Sequence, residues 1–360
     1  MLRPMHDFHG VLGCRRVLAI AAMAAMAAVF VGCASRSGAR TAPASAGNAA
    51  VRESTPSWTL VIHGGAGTIE PGEDPVLAAR YRESLARALD AGAAVLRADG
   101  SAMDACEAAV RVLEDDELFN AGRGAALTRD GTAELDASIM DGSTLKCGAV
   151  TGVTTVRHPV SLARKVMENT RHILFAGAGA ERLADQYGVE RVENAWFVTP
   201  KRRQMLDELL QPKATSSRGV SGNEPRMGTV GAVARDSKGR LAAATSTGGL
   251  TGKIPGRVGD SPLIGAGNYA NATVAVSCTG TGEQYIRHGV ARGVAARMDY
   301  AKDSLQGATD YFIFTALNKD DGGLIAVDAK GNVATPFSTV GMYRGIADSK
   351  GRREVKIWKE

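Results

Sequence analysis

The bond between Gly228 and Thr229 is where residue types in this chain most directly suggest chemistry. A run of small residues, Gly228-Thr-Val-Gly-Ala-Val-Ala234, opens on a threonine and continues as the apolar text of a buried strand. A threonine hydroxyl is a weak nucleophile without a base, and no Ser-His-Asp arrangement is legible that could supply one. A threonine at a chain terminus carries its own base, because an α-amine with a pKa of roughly 7.7–8.0 is substantially neutral near working pH. Cleavage between Gly228 and Thr229 is therefore expected, and a glycine on the acyl side tolerates the strained geometry of attack.

Other elements must bring partners to that threonine. Residues 58–62 read as a strand running into His63-Gly64-Gly65-Ala66-Gly67. Such a run can form an oxyanion loop, but only with a Gly-x-Ser-x-Gly elbow that this chain lacks. The glycines are expected to form a tight turn without Cβ atoms, and His63 reads as structural. Two amphipathic helices follow. Residues 75 to about 97 carry Ala78, Tyr81, Leu85, Ala88, Leu89 and Leu96 on one stripe, and residues 101–113 open on a Ser cap with Asp104 three positions on. The acidic run Leu113-Glu-Asp-Asp-Glu117 lacks the spacing of a calcium loop and reads as solvated.

Strands are expected over 133–140 and 146–153 around an Asp-Gly turn, then helices over 161–167, about 177–186 and around 201–210. Residues 211–226 show no apolar face, and a flexible run there would leave the Gly228-Thr229 bond reachable. Beyond it the text predicts strands over 229–235, 241–245 and 273–279. A helix carrying Ile286, Val290, Val294 and Met298 and a closing hairpin through Lys330-Gly-Asn332 complete the pattern. A strand-rich centre with helices from both ends suggests stacked sheets covered by helices, not a βαβ repeat.

Composition limits the alternatives. The chain has 360 residues, 44% hydrophobic and 22% charged, enough for a large core. Its formal charge is +5, but Arg3, Arg15 and Arg16 against Asp7 put +2 of this into the first 32 residues. No dense basic run with interleaved aromatics remains, so no nucleic-acid partner is expected. Residues 1–32 read as an export signal, with Arg15-Arg16 before an apolar stretch too short for a comfortable membrane span. The flanks of that doublet fit twin-arginine export poorly. Val31-Gly32-Cys33 resembles a bacterial lipobox, although Phe30 stands where Leu is usual, so Cys33 is the expected lipidation site. Residues 33–56 read as a flexible tether, which places residues 57–360 in the periplasm as a membrane-anchored lipoprotein. Cys106, Cys147 and Cys278 are too widely spaced for a disulfide framework or zinc and read as buried small hydrophobes.

Four blocks stand in order: Gly228-Thr-Val-Gly-Ala-Val-Ala234, Ala244-Thr-Ser-Thr247-Gly-Gly249, Gly256-Arg257-Val-Gly-Asp260-Ser-Pro262 and Ser277-Cys-Thr279-Gly280-Thr-Gly282-Glu283. Together with Val61-Ile-His-Gly-Gly-Ala-Gly67 and Leu118-Phe-Asn120-Ala-Gly122, they resemble the signature blocks of the plant-type asparaginase and isoaspartyl peptidase family. That family belongs to the N-terminal nucleophile hydrolases. Taken singly, Thr245, Ser246 and Thr247 read as strand residues, Arg257 and Asp260 as a surface ion pair, and 279–282 as a turn. Their ordered co-occurrence favours the catalytic reading.

The resemblance implies a four-layer αββα sandwich, an α+β fold, cut into pieces 57–228 and 229–360. It implies that Thr229 is the nucleophile with its released amine as base, that Thr247 positions it, and that Thr279 and Gly280 form the oxyanion hole. Arg257 would clamp the substrate α-carboxylate and Asp260 the α-ammonium. The implied substrates are L-asparagine and β-aspartyl dipeptides. No cofactor is implied for catalysis. A structural sodium ion would be held by backbone carbonyls of Leu113, Glu114, Asp116, Phe119, Ala121 and Arg123, stabilising the loop that bears Asn120, itself counted with the catalytic set. The implied assembly is a dimer of αβ units. Glycosylasparaginase, from the same superfamily, and a noncatalytic envelope lipoprotein keeping the fold are the competing readings. The Thr247-Gly-Gly249 and Arg257-Val-Gly-Asp260 blocks resemble the peptidase branch better.

Overall fold

The computed structural model describes residues 57–67, 70–211 and 228–359. The export signal, Cys33, the tether and all of the 211–226 run beyond Gln211 lie outside these residues.

Two sheets form the centre. The first has eight strands in the order β12 (Arg353–Lys356), β11 (Met342–Asp348), β1 (Thr59–Ala66), β5 (Val230–Arg235), β6 (Leu241–Thr247), β2 (Leu135–Asp141), β3 (Cys147–Val153) and β4 (Leu174–Ala176). The second has four, β10 (Val333–Ala334), β9 (Gly322–Asp328), β8 (Val274–Gly280) and β7 (Asn268–Ala270). Because side chains alternate along a strand, each strand of the first sheet feeds two cores. Leu60, Ile62, Ala232 and Ala244 pack under helices, whereas Val61, Val233 and Ala243 meet Ala275, Ile325 and Val327 of the second sheet. Both faces being covered explains why β1, β5 and β6 read as nearly unbroken apolar runs.

Helices α1 (Pro75–Arg97), α2 (Ala102–Asp115), α3 (Pro159–Asn169), α4 (Gly177–Gln186) and α5 (Pro200–Leu210) contribute to the outer core of the first sheet. Helices α6 (Gly282–His288), α7 (Val290–Ala296) and α8 (Leu305–Tyr311) do so for the second. The result is the expected αββα sandwich. The stripe expected on α1 is buried from Ala78 to Leu96, and the helix starts where Asp74 accepts the Leu77 N–H at 2.8 Å ahead of Pro75. Helix α2 starts with the Ser101/Asp104 capping box, an arrangement typically worth about 1 kcal/mol per cap.

Four expectations change. The His63-Gly64-Gly65 stretch is strand, not turn: β1 runs on to Ala66, with a bulge between His63 and Gly65. The glycines still serve close approach, since a Cβ on Gly64 would stand 2.4 Å from the Phe119 ring. The acidic run is not solvated at Glu114, which is fully buried: α2 extends to Asp115 and carries that carboxylate inward. There its Oε1 accepts from Ser246 Oγ at 2.7 Å and from the Val160 N–H at 3.1 Å. The single helix expected around 286–298 is broken at Gly289 (φ 55°), which leaves Ile286 exposed and only Val290 and Val294 in the core. Strands β4, β7, β11 and β12 and helix α8 were not legible. In β11 a buried Arg344 and Gly345 interrupt the apolar alternation.

Cys106, Cys147 and Cys278 are all buried and free, as the spacing implied.

Candidate active site

Thr229 stands at the head of β5, a central strand of the larger sheet, and is buried. Its position one residue before Val230 gives its side chain the parity of Gly231 and Val233, toward the second sheet. There Thr229 Oγ1 donates to Thr247 Oγ1 at 3.2 Å and lies 3.4 Å from Ser261 Oγ. Thr247 Oγ1 also accepts the Gly249 N–H at 3.0 Å, so its lone pairs face both the nucleophile and the next turn. Strand pairing sets this geometry, with Val230 opposite Ser246 on β6.

The Gly65–Ala66 backbone and the Thr279 side chain converge on the bond ahead of Thr229. A Cβ on Gly228 would stand 2.3 Å from Thr279 Oγ1 and 2.8 Å from the Ala66 nitrogen. A Cβ on Gly65, itself at φ +111°, would stand 2.5 Å from the Gly228 carbonyl oxygen. The β1 bulge thus presses against the acyl side of the bond, and Ala66 N–H donates to Thr279 Oγ1 at 3.1 Å. Gly280 adopts φ +153°, and a Cβ there would meet the Asp321 carbonyl at 2.0 Å. Only glycine fits that position.

Beneath the nucleophile lies a buried polar chain. His63 Nε2 and Ser277 Oγ are 2.8 Å apart, and Ser277 Oγ and Thr245 Oγ1 are 2.7 Å apart. Burial lowers the His63 pKa to about 3 against the opposing Thr229 backbone, so the imidazole is neutral.

The two residues assigned to the substrate head lie together around Gly282, whose Cβ would stand 3.0 Å from Asp260 Oδ1 and 3.1 Å from Arg257 Nη2. They are not a surface ion pair with each other. Arg257 pairs with Glu283 through two hydrogen bonds of 2.9 and 2.8 Å, while Asp260 is buried with its Oδ2 lacking a hydrogen-bond partner among the described residues. Burial pushes Asp260 up to about 7, with its own backbone N–H and Arg257 pulling the other way. A buried carboxylate with an orphaned oxygen is suited to an incoming cation.

Asn120 is buried and bridges two loops. Its Nδ2 donates to the Gly249 carbonyl and its Oδ1 accepts the Ala126 N–H, both at 2.7 Å, while its carbonyl accepts the Gly248 N–H. It ties the 120–126 loop to the turn after Thr247. In that loop Glu114 O accepts the Arg123 N–H at 2.7 Å and Asp116 O accepts the Phe119 N–H at 3.2 Å. Gly122 (φ +48°) closes the turn so tightly that a Cβ would stand 2.2 Å from Glu114 O. Each accepting carbonyl keeps a second lone pair, which fits a hard cation. Among the described residues no three His, Cys, Asp or Glu side chains group to hold a metal.

Ser261, Ser277, Glu283 and the Ala66 N–H received no role from the sequence, although all four stand inside the quoted blocks. The period of two along β8, which puts Ser277 and Thr279 on one face, was the available signal. Lys253 was also missed. It is buried, donates to the Glu134 carbonyl at 2.8 Å, and fastens the 249–257 segment to the 127–134 segment.

A four-layer αββα sandwich with a threonine at the head of a central strand is the architecture of an N-terminal nucleophile hydrolase. The chain belongs to the asparaginase family, whose model matches residues 56–357. It is 51% identical over 311 residues to an isoaspartyl peptidase of Salmonella typhimurium, covering 84% of this chain and 98% of that protein. It is equally identical, over 308 residues, to an isoaspartyl peptidase of Escherichia coli, covering 84% and 96%. A plant-type L-asparaginase of Pyrococcus horikoshii is 42% identical over 310 residues, covering 83% and 99%.

Proposed function

We propose that this chain is a self-processing amidohydrolase that cleaves β-aspartyl dipeptides and L-asparagine through a Thr229-acyl intermediate and releases L-aspartate. The observation that carries the reading is the contact of Thr229 Oγ1 with Thr247 Oγ1, made by a strand-head threonine that follows a tightly enclosed glycine. The names of the relatives supply the substrate class.

Processing begins as Thr229 Oγ attacks the Gly228 carbonyl carbon. The C–N bond breaks, the nitrogen takes up the hydroxyl proton, and water hydrolyses the resulting ester to leave a Gly228 carboxylate and a free Thr229 amine. In turnover that amine accepts the hydroxyl proton as Oγ attacks the substrate's β-carbonyl. Thr279 and Gly280 stabilise the oxyanion, the leaving amine takes a proton, and water releases aspartate. Arg257 and Asp260 hold the α-carboxylate and α-ammonium. Thr247 fixes the nucleophile's rotamer, and Asn120 fixes the turn that carries Thr247's second partner. Backbone carbonyls of Leu113, Glu114, Asp116, Phe119, Ala121 and Arg123 would hold a sodium ion that stiffens the Asn120 loop, with no chemical step assigned to it.

Export through residues 1–32, lipidation at Cys33, a periplasmic location and a dimer of αβ units complete the proposal, the first three supported by the N-terminal sequence and the last by the family resemblance. Intact mass of the purified protein tests the processing step: a fragment beginning at Thr229 is expected, with ammonia released from L-asparagine. Thr229→Ala should give one uncut chain and no activity. Two fragments from that variant would overturn self-cleavage at this bond, and fatty-acid labelling with and without Cys33 tests the anchor.

A further inference from the structure

The guanidinium of Arg257 has two usable edges, and the structure distinguishes them. Nε and Nη2 are bonded to the two carboxylate oxygens of Glu283 at 2.9 and 2.8 Å, a parallel two-point contact. Nη1 makes no hydrogen bond to a described residue. Glycine backbone lies beside it: a Cβ on Gly259 would stand 3.0 Å from Nη1, and one on Gly249, 3.1 Å from Lys253 Nζ, would stand 3.4 Å away. The remaining N–H groups on Nη1 and Nη2 thus border glycine backbone at 249, 259 and 282, with the Lys253 ammonium beside Gly249 and Asp260 beyond Gly282.

We propose that Glu283 is the positioning residue of the substrate clamp: it occupies one edge of the Arg257 guanidinium so that the Nη1/Nη2 edge is presented to the α-carboxylate of the substrate. This rests on the proposed role of Arg257. A free arginine side chain samples many rotamers, and holding the planar fork in place before binding removes part of the entropic cost of ordering it. Glu283 also offsets one positive charge, so the site as a whole discriminates by geometry as well as by net attraction. The two carboxylates, one from the protein and one from the substrate, flank the same guanidinium without sharing an edge. The opposite arrangement, in which Glu283 is a competitor that substrate must displace, predicts the opposite kinetic sign.

The test compares wild type, Glu283→Gln and Glu283→Ala in the processed protein, with L-asparagine and with its α-carboxamide analogue, which lacks the carboxylate. Glu283→Ala is expected to raise KM for L-asparagine roughly tenfold while lowering kcat much less, and Glu283→Gln, which keeps one acceptor oxygen, to fall between. The preference for L-asparagine over the analogue should narrow in the same order. A merely structural role would not move this preference. Calorimetric affinity for L-aspartate, which needs no turnover, should weaken in parallel, so it reads Glu283 even if wild type fails to hydrolyse L-asparagine and the functional reading fails. An unchanged or lower KM, or unchanged or tighter aspartate binding in the variants, would overturn the proposal. Should Glu283→Ala fail to fold, Glu283→Gln decides by the same signs.

Discussion

Gly228 and Thr279 are packed so closely that a single methyl group on the former would fall 2.3 Å from the hydroxyl oxygen of the latter. The same methyl would crowd the Ala66 nitrogen at 2.8 Å, and that nitrogen is backbone. Gly228→Ala is therefore expected to displace the scissile carbonyl and slow self-cleavage by about two orders of magnitude, as misplacements near 1 Å commonly do. A time course on denaturing gels measures it, and cleavage at the wild-type rate would refute this account of the packing.

Thr247→Val keeps the shape of the strand residue but deletes the acceptor for Thr229 Oγ1 and the Gly249 N–H. Both processing and kcat should fall, by roughly tenfold to a hundredfold, with KM moving less. Rescue by Thr247→Ser, which restores the oxygen, checks that the hydroxyl is responsible.

The Asp260 carboxyl, raised to about 7 by burial, sets a pH dependence. Its ionised form is the one that pairs with an α-ammonium, so kcat/KM is expected to rise as pH increases through about 7. In Asp260→Asn that limb should vanish, leaving a weaker enzyme whose remaining dependence follows the Thr229 amine. Stability runs the other way. The folded state holds a proton that the unfolded state has released, so between about pH 4 and 7 the carboxyl destabilises the fold increasingly as pH rises. The melting temperature of Asp260→Asn relative to wild type should climb across that window and level off above it.

Gly231 faces the buried chain below the nucleophile, where a Cβ would stand 2.1 Å from Ser277 Oγ and 2.5 Å from His63 Nε2. Gly231→Ala should cost about 1–3 kcal/mol of stability by overpacking. Adding Ser277→Ala should recover part of it, read as a rise in melting temperature over the single variant. A double variant no more stable than Gly231→Ala would show that the Ser277 hydroxyl is not the obstacle.

Asn120→Ala leaves the Gly249 carbonyl and the Ala126 N–H without their partner in a buried loop. Unsatisfied buried groups typically cost about 1–3 kcal/mol each. A drop in melting temperature together with a lower kcat is expected; a change in KM alone would argue that Asn120 contacts substrate instead.

How much of this was legible in advance depended on the range of the forces involved. Helices α1 and α2 could be read because caps and apolar stripes are local: Asp74 and Ser101 act within one turn of themselves. Strand β12 could not, because its four residues, one exposed and three half-exposed, are strand only through pairing with β11. The His63-Gly-Gly run looked like a turn since glycine favours turns, but β5 pairs as far as His63 and β11 carries the strand past a bulge to Ala66, which turns the glycines to another use, the close approach to Gly228 and Phe119.

The sequence by itself determined the chemistry available: a threonine behind a glycine, an arginine and an aspartate three residues apart, and ordered blocks whose types match one family. It also marked β5 and β6 as buried apolar runs, and strand geometry alone then fixes which of their side chains share the nucleophile's face. Tertiary structure alone decided which groups meet. Ser261 reaches Thr229 and Glu283 holds Arg257 because separate strands and loops converge, and packing around Gly267 and Gly282 buries Asp260, which forms no ion pair among the described residues. Burial and contact are properties of the assembled layers, and the desolvation that raises Asp260 exists only once those layers close.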